Sequence, residues 1–148
     1  MNLEKEIELM KREDGLSRTL NMEFISTPEP DTCKARMKVD KLNRQVFGFL
    51  SGGATLALAE NLAGVGSMAL CRCKICVGIN VSGSHVRAVL EGDTVTATAR
   101  LQYKGRTLHQ WHIDICNNNG QLVSTVEVTN YVLTPGKTAG AELNEEVR

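Results

Sequence analysis

A single carboxylate stands inside an apolar helical segment of this chain. Residues 45–60 read QVFGFLSGGATLALAE, and the apolar run continues to Leu70. From Ala54 onward the segment is apolar nearly all round, which is typical of a helix buried in a core. Glu60 lies in the middle of it, and a lone buried carboxylate costs free energy unless a partner or a reaction uses it. The sequence therefore singles out Glu60 as an ion-pair or catalytic candidate.

Small residues accompany Glu60 at helical spacing. One stripe of the helix is formed by Gly53, Ala57, Glu60, Gly64 and Ser67. A stripe that faced the core would need large side chains to fill space. These small residues predict either a groove around the carboxylate or the close approach of another backbone.

The start of the same helix carries potential hydrogen-bond donors. Gly52 and Gly53 leave the backbone N–H groups unobstructed at the helix amino terminus, where the positive end of the helix dipole can meet an oxyanion. Gln45 offers a side-chain amide seven residues before Gly52. A carboxylate, free N–H groups and an amide around one groove can attack a polarised carbonyl.

A structural interpretation of the same residues is equally open. Glu60 could pair with Arg87 or Arg106 at a subunit contact, and the small residues could serve only to seat a dimer partner. Residue chemistry alone does not choose between this interpretation and catalysis.

The cysteines raise the question of metal binding. Three of the five fall in the segment CRCKIC, and further potential ligands follow later in the chain: Cys71, Cys73 and Cys76, then His109, His112 and Cys116. A structural zinc site usually has two paired ligand clusters at regular spacing, and only one cluster is visible here. Cysteine also serves as a small apolar residue at helix ends and strand starts. We therefore expect no metal site.

The elements that must position these residues follow a simple order. The periodicity predicts two helices, at 3–12 and 52–70, and six strands, at 19–26, 33–39, 75–86, 93–103, 107–116 and 121–133. A helix that is apolar all round needs a partner covering most of its circumference, and a strongly curved antiparallel sheet provides one. We predict an α+β protein with a single hotdog domain over residues 1–134 and a flexible tail over 135–148.

Composition excludes several classes of partner. The 148 residues contain 17 Lys plus Arg and 17 Asp plus Glu, so the net charge is zero, whereas nucleic-acid binding requires a basic excess. The amino terminus lacks the apolar region of a signal peptide, and no run reaches the ~18 apolar residues of a membrane span. We expect a cytoplasmic protein that binds neither nucleic acid nor membranes.

Three segments carry a family resemblance. Residues 45–60 resemble the Q-x-F-G-x-L-H-G-G-A-x-x-x-L-A-E segment of hotdog-fold acyl-CoA thioesterases. The branch is that of the 4-hydroxybenzoyl-CoA, phenylacetyl-CoA and 1,4-dihydroxy-2-naphthoyl-CoA thioesterases. Residues 77–93, VGINVSGSHVRAVLEGD, and 103–123, YKGRTLHQWHIDICNNNGQLV, resemble two later segments of that branch. The resemblance spans residues 17–134.

The resemblance implies roles for the candidate catalytic residues. Glu60 matches the family's catalytic carboxylate, acting as nucleophile or as general base for water. Gly52 matches the glycine whose N–H polarises the thioester oxygen, assisted by the amide of Gln45. Active sites of the family form across a dimer interface, so Glu60 of one subunit would face Gln45 and Gly52 of another in a homodimer or homotetramer.

The resemblance also implies a substrate site, with CoA as part of the substrate and no separate cofactor. The residues expected to contact substrate are Gly53, Gly64, Ser67, Gly78, His85, Arg87, Lys104, Gly105 and Arg106. Two adjacent cations, Lys104 and Arg106, suit the phosphates of the nucleotide end. A solvated turn is the alternative interpretation of these two residues.

The chain departs from the family pattern at two positions. The usual histidine before Gly-Gly, which helps to position the thioester and its water, is Ser51 here. Ser51 is alternatively a helix N-cap. The position four residues after the acid, often Ser or Thr, is Gly64, and Ser67 could substitute for it in holding water.

The leading function expected from the sequence is hydrolysis of a small acyl- or aroyl-CoA to the free acid and CoA. The alternative is a hotdog protein that binds acyl-CoA without turnover, which the serine at position 51 favours. A hotdog dehydratase or hydratase ranks below both, because such enzymes use a catalytic histidine and none occurs between residues 40 and 70.

Overall fold

A computed structural model describes residues 1–72 and 74–133. It contains the elements α1 (Glu4–Arg12), α2 (Leu16–Thr19), β1 (Glu23–Ile25), β2 (Thr32–Lys38), α3 (Gly52–Leu70), β3 (Ile75–His85), β4 (Thr94–Lys104), β5 (Leu108–Cys116) and β6 (Leu122–Leu133). The predicted flexible tail, residues 135–148, lies outside the described residues.

The strands form one antiparallel sheet in the order β1-β2-β4-β5-β6-β3. Alternating residues of β4, β5 and β6 enter the core, as the period of two in their sequences predicts. The long helix α3 packs against this sheet. The predicted α+β class and the curved sheet around one long apolar helix are confirmed.

Helix α3 has the predicted bounds and supplies the centre of the core. Leu58 and Leu62 are completely buried against the sheet, together with Trp111 of β5. Gly66 allows this close packing, because a Cβ atom there would lie 2.8 Å from the Trp111 ring. A small residue at this point of α3 therefore lets the large indole sit directly against the helix backbone.

The predicted strand at 19–26 is wrong in its first half. Leu16–Thr19 instead forms one helical turn, and β1 is limited to Glu23–Ile25. Asn21 adopts a left-handed φ of 55°, and the N–H of Met22 donates to the carbonyl of Ser17. These local bonds close a turn that alternating apolar residues alone do not reveal.

Strand β3 is an edge of the sheet, with β6 as its neighbour. Most of its residues are exposed, including Ile79, which is 57% exposed. A long edge strand with exposed apolar side chains offers unpaired backbone groups to another chain.

None of the helices in residues 1–72 and 74–133 is long and apolar enough to cross a membrane.

Candidate active site

Glu60 lies on the accessible side of α3, half-buried beneath β3. Its carboxylate occupies the space that a side chain at Gly78 would fill, so the glycine of β3 makes room for it. A cavity of about 240 Å³ opens beside it, which we name the Glu60 cavity; it is lined by Met10, Glu60, Asn61, Gly64, Val65, Met68, Cys76 and Gly78. A Cβ atom on Gly64 would meet open space. The predicted groove around Glu60 is therefore present.

The carboxylate of Glu60 has no hydrogen-bond or ion-pair partner among residues 1–72 and 74–133. Neither Arg87 nor Arg106 pairs with it within the chain. An ion pair of Glu60 with Arg87 or Arg106, as the structural interpretation requires, would therefore have to form between subunits.

The amino terminus of α3 presents backbone donors that no side chain caps. Ser51 stands at the N-cap position, but its hydroxyl makes no capping hydrogen bond, contrary to its interpretation as a capping side chain. Its carbonyl accepts from the N–H and hydroxyl of Thr55, at 3.0 and 2.9 Å. The first N–H groups of the helix, at Gly52 and Gly53, remain available to a ligand.

A second cavity, of about 370 Å³, lies at this end of the helix, and we name it the Gly52 cavity. It is lined by Gln45, Phe49, Leu50, Gly52, Thr55, His85, Val86, Arg87, Ala88, Val89, Val123 and Ser124. Gln45 is half-buried, and its Oε1 accepts a hydrogen bond of 2.6 Å from the N–H of Phe47. With its oxygen engaged in this way, the amide of Gln45 has its nitrogen left to donate to a ligand.

His85 is held against the helix terminus. Its Nδ1 lies 2.7 Å from the hydroxyl of Ser124, and its Nε2 lies 2.8 Å from the place where a Cβ on Gly52 would stand. Gly52 therefore lets the imidazole approach the helix backbone. Sequence reasoning missed Ser124, since a lone serine in an alternating strand gives no signal of such a contact.

Ser67 does not belong to the groove, which corrects its assignment as a substrate-binding residue. Its side chain is completely buried, and its hydroxyl lies 2.9 Å from each of three side-chain nitrogens, those of His109, Trp111 and Asn130. A hydroxyl with three partners in the core has no bonding capacity left for water or substrate.

The basic turn between β4 and β5 lies far from the Gly52 cavity in one chain. Lys104, Gly105 and Arg106 adjoin the end of the sheet where β3 begins, whereas His85 lies where β3 ends. His85 pairs with Ser124 and Gly78 pairs with Asn130, so about 20 Å of β6 separates these two ends. The structure therefore does not gather these residues with His85 and Arg87 in one subunit.

The two halves of the predicted catalytic group are also separated. Gly52 and Glu60 are eight residues apart on α3, which corresponds to about 12 Å along the helix axis. An oxyanion donor and a nucleophile or base must both come within about 3 Å of one reacting carbonyl. Glu60 and Gly52 of a single subunit therefore cannot serve the same carbonyl group.

Metal ligands do not converge in the part of the chain that the structure describes. No group of three or more His, Cys, Asp or Glu side chains there could hold a metal ion. Cys73 lies outside that part. His112 is instead on the surface, where the hydrogen bonds that its ring donates to the carboxylates of Glu127 and Asp114 raise its pKa.

Comparison with known proteins places this geometry in a family. Residues 47–124 match the model of the thioesterase superfamily. The 1,4-dihydroxy-2-naphthoyl-CoA hydrolase of Escherichia coli is 34% identical over 107 residues, which cover 70% of this chain and 76% of that protein.

Solved structures of thioesterases have the same architecture. A thioesterase of Haemophilus influenzae superposes with a TM-score of 0.81 at 31% identity, covering 94% of this chain and 95% of that one. A thioesterase of Staphylococcus aureus superposes with a TM-score of 0.74 at 30% identity, covering 80% of this chain and 98% of that one. Its solved variants replace a glutamine and a glutamate fifteen residues apart, the separation of Gln45 and Glu60 here. This chain belongs to the thioesterase superfamily, has its hotdog fold and is a thioester hydrolase.

Proposed function

We propose that this protein hydrolyses a small acyl- or aroyl-CoA to the free acid and CoA at a site shared by two subunits. One observation carries the proposal: Gly52 and Gln45 line one cavity, whereas Glu60 lines a separate one further along α3. Each half is incomplete by itself. A second copy of the chain is therefore the source of the missing half.

The edge strand β3 provides the route by which two copies would meet. A two-fold axis that pairs β3 with its counterpart in antiparallel fashion reverses the strand direction. The His85 end of one subunit then runs beside the Gly78 end of its partner. Since the Gly52 cavity lies at the first end and the Glu60 cavity at the second, this pairing would join the two halves.

The chemistry of the joined site follows from its groups. Backbone N–H of Gly52 and the amide nitrogen of Gln45 donate to the thioester oxygen and stabilise the negative charge that develops there. Glu60 of the partner acts as nucleophile on the carbonyl carbon or as general base for water. The carboxylate, which has no partner among residues 1–72 and 74–133, suits either role. CoA leaves as the thiol.

The remaining residues of the Gly52 cavity suit the CoA portion of the substrate. Arg87 is exposed at its rim and can meet phosphate, and His85 is oriented by Ser124. Lys104 and Arg106 carry two further exposed cations. Because they lie about 20 Å from His85 in one subunit, we assign them to CoA phosphates bound mainly by another subunit.

The acyl group would occupy the Glu60 cavity. Gly64 leaves open space in front of the helix, and Met10, Val65 and Met68 give the cavity an apolar wall. A flat aromatic acyl group fits a wall of this kind. The similarity to the naphthoyl-CoA hydrolase of Escherichia coli supports an aroyl substrate.

Release of CoA from a panel of aromatic and aliphatic acyl-CoAs tests the activity. A thiol reagent detects the product, and the signal from the protein's own five cysteines is subtracted. We expect turnover that Glu60→Gln abolishes. Acyl-CoA that binds but is released intact by the wild type, for every member of the panel, would contradict the proposal.

Subunit complementation tests the shared site directly. Glu60→Gln and Gln45→Ala subunits are each expected to be nearly inactive, whereas a mixed dimer contains one site with both residues intact. Unfolding and refolding the two variants together should restore activity above that of either one. No recovery, in a sample shown by mass spectrometry to contain mixed dimers, would place both residues in one subunit's site.

A further inference from the structure

A third cavity, of about 350 Å³, lies between α1, α2 and β1, and we name it the α1–β1 cavity. Its walls include the half-buried Ile7 of α1 and two buried residues, Met22 and Phe24. The charged residues that line it are all exposed to solvent. The cavity therefore has an apolar floor and a polar rim, and the proposed hydrolysis uses none of it.

Met10 of α1 stands between the α1–β1 cavity and the Glu60 cavity. Among residues 1–72 and 74–133, it is the one residue that lines both. On the Glu60 side it faces a wall that includes Gly64 and Met68 of α3, and a Cβ atom on Gly64 would meet open space. An acyl group that lies beside Glu60 therefore meets Met10 before it could enter the α1–β1 cavity.

Helix α1 is fixed to the body of the protein, so Met10 has a defined place. Leu3, the residue before α1, is completely buried, and its N–H donates to the hydroxyl of Ser26 at 2.9 Å. Ile7 packs against the core one turn before Met10, and α1 contacts α3. These contacts hold α1 over the Glu60 cavity.

A buried hydroxyl restrains the side chain of Met10. Ser17 of α2 is 6% exposed, and its hydroxyl donates to Sδ of Met10 at 3.8 Å. A thioether is a weak acceptor, and an unbranched methionine otherwise changes rotamer readily. The contact therefore favours the conformation in which Met10 separates the two cavities.

We propose that Met10 is a specificity-determining residue, which limits acyl length by closing the passage from the Glu60 cavity to the α1–β1 cavity. This inference rests on the proposed function, which places the acyl group in the Glu60 cavity. A short or flat aromatic acyl group fits in front of Met10. A long alkyl chain must displace the methionine side chain, so the wild type discriminates against it.

Hydrolysis of benzoyl-CoA and decanoyl-CoA by Met10→Ala protein tests the proposal. The substitution removes the side chain beyond Cβ and joins the two cavities, so distal methylenes of the decanoyl chain become buried among Ile7, Met22 and Phe24. Each buried methylene contributes roughly fourfold to binding, so two or three of them should raise the decanoyl-to-benzoyl ratio of kcat/KM by at least about tenfold.

Met68→Ala is the matched control, because Met68 lines the Glu60 cavity but not the α1–β1 cavity. It removes the same side chain from the same cavity, and we expect a much smaller rise in the ratio. Ile7→Phe, added to Met10→Ala, places a ring in the α1–β1 cavity and should cancel most of the gain.

The contrary outcomes are distinct from these. An unchanged ratio in folded Met10→Ala protein would overturn the proposal, and thermal denaturation verifies folding. An equal rise in Met68→Ala protein, or a gain that Ile7→Phe does not reduce, would overturn it as well, since the α1–β1 cavity would then play no part. Met10→Val, a smaller truncation, repeats the comparison if the alanine variant unfolds.

Binding of S-decyl-CoA, a thioether that cannot be hydrolysed, separates this inference from the proposed function. Isothermal titration calorimetry should show at least about tenfold tighter binding to Met10→Ala protein than to the wild type, relative to S-benzyl-CoA. Absence of turnover by the wild type would contradict the proposed hydrolysis, whereas the binding comparison would still decide the role of Met10. Equal relative affinities would overturn that role.

Discussion

Glu60 and Ser67 are two polar side chains on one helix, seven residues apart, and their surroundings are opposite. Ser67 is completely buried and its hydroxyl has three partners, from His109, Trp111 and Asn130. Glu60 is half-buried beside a cavity and has no partner among the residues that the structure describes. The satisfied group stabilises the fold, while the unsatisfied group is the one free to meet a substrate.

The contrast arises from what covers α3 at each of these two residues. Seven residues fall about 20° short of two full turns of an α-helix, so Ser67 is offset by that angle from Glu60 around the helix axis. Ser67 therefore lies at the margin of the accessible stripe. There the side chains of β5 and β6 reach it. Glu60 lies under β3 at Gly78, which has no side chain to offer. The covering strand, not the helix sequence, therefore decides which polar residue is structural.

The largest effect should come from Glu60→Gln. The amide cannot act as nucleophile or base, so we expect kcat to fall at least ~10³-fold, while the thermal unfolding midpoint stays within a few degrees. Steady-state kinetics and thermal denaturation measure the two quantities. A variant that unfolds instead would mean that Glu60, like Ser67, is a structural residue.

Removal of an oxyanion donor should have the next largest effect. Gln45→Ala leaves the thioester oxygen with the Gly52 N–H alone, and we expect kcat/KM to fall by about 10²-fold. Gln45→Glu is the matched control, since it keeps the shape but loses the N–H donor. Normal turnover by either variant would show that the amide does not touch the carbonyl.

Ser67→Ala should affect stability rather than turnover. It leaves the indole N–H of Trp111 and the amide of Asn130 buried without their acceptor, at a cost of about 2–3 kcal/mol in the free energy of unfolding. Urea denaturation followed by the fluorescence of Trp111 measures this loss. A variant that is as stable as the wild type but has a lower kcat would show that Ser67 acts in catalysis, as Glu60 is proposed to do.

Ser51→His should raise activity modestly. The serine hydroxyl caps no N–H group of α3, so the helix loses little when it is replaced. If position 51 retains its family role beside Gly52, we expect kcat to increase by several-fold, measured by CoA release. Unchanged kinetics would indicate that the site works without a side chain at this position.

The smallest effect concerns two histidines on β5. Hydrogen bonds to Glu127 and Asp114 raise the pKa of His112, so its protonated form stabilises the native state. This contribution is fully present below the unfolded pKa of about 6.5 and is lost as pH rises through the higher folded pKa. Surface exposure limits it to well under ~1 kcal/mol.

A pH titration of stability tests that contribution. Glu127→Gln should flatten the decline above pH ~6.5, with urea denaturation at several pH values as the measurement. For His109, whose pKa is lowered by burial, the sign is reversed: stability is present above the unfolded pKa and is lost as pH falls through the folded one. A dependence unchanged by Glu127→Gln would assign the titration to another group.

Periodicity determined most of the fold in advance. Helix 52–70 and the last four strands follow from the spacing of apolar residues. In a long segment that spacing is compatible with either a helix or a strand, but not with both. The helical turn Leu16–Thr19 was not predicted. The turn at Asn21 and Met22 that follows it depends on local hydrogen bonds, which the alternation of apolar and polar residues does not indicate.

The candidate site likewise has features that the sequence predicted and features that only the structure revealed. The sequence by itself determined that a carboxylate would lie on an apolar helix among small residues, with glycines and an amide near its start, because residue type and spacing fix what lies on one helix face. Only the tertiary structure decided that Ser67 belongs to the core, that Ser124 orients His85, and that Gly52 and Glu60 open into different cavities. Those facts depend on which strand covers each turn of α3, and contacts between residues distant in sequence are set by the packing of the whole sheet.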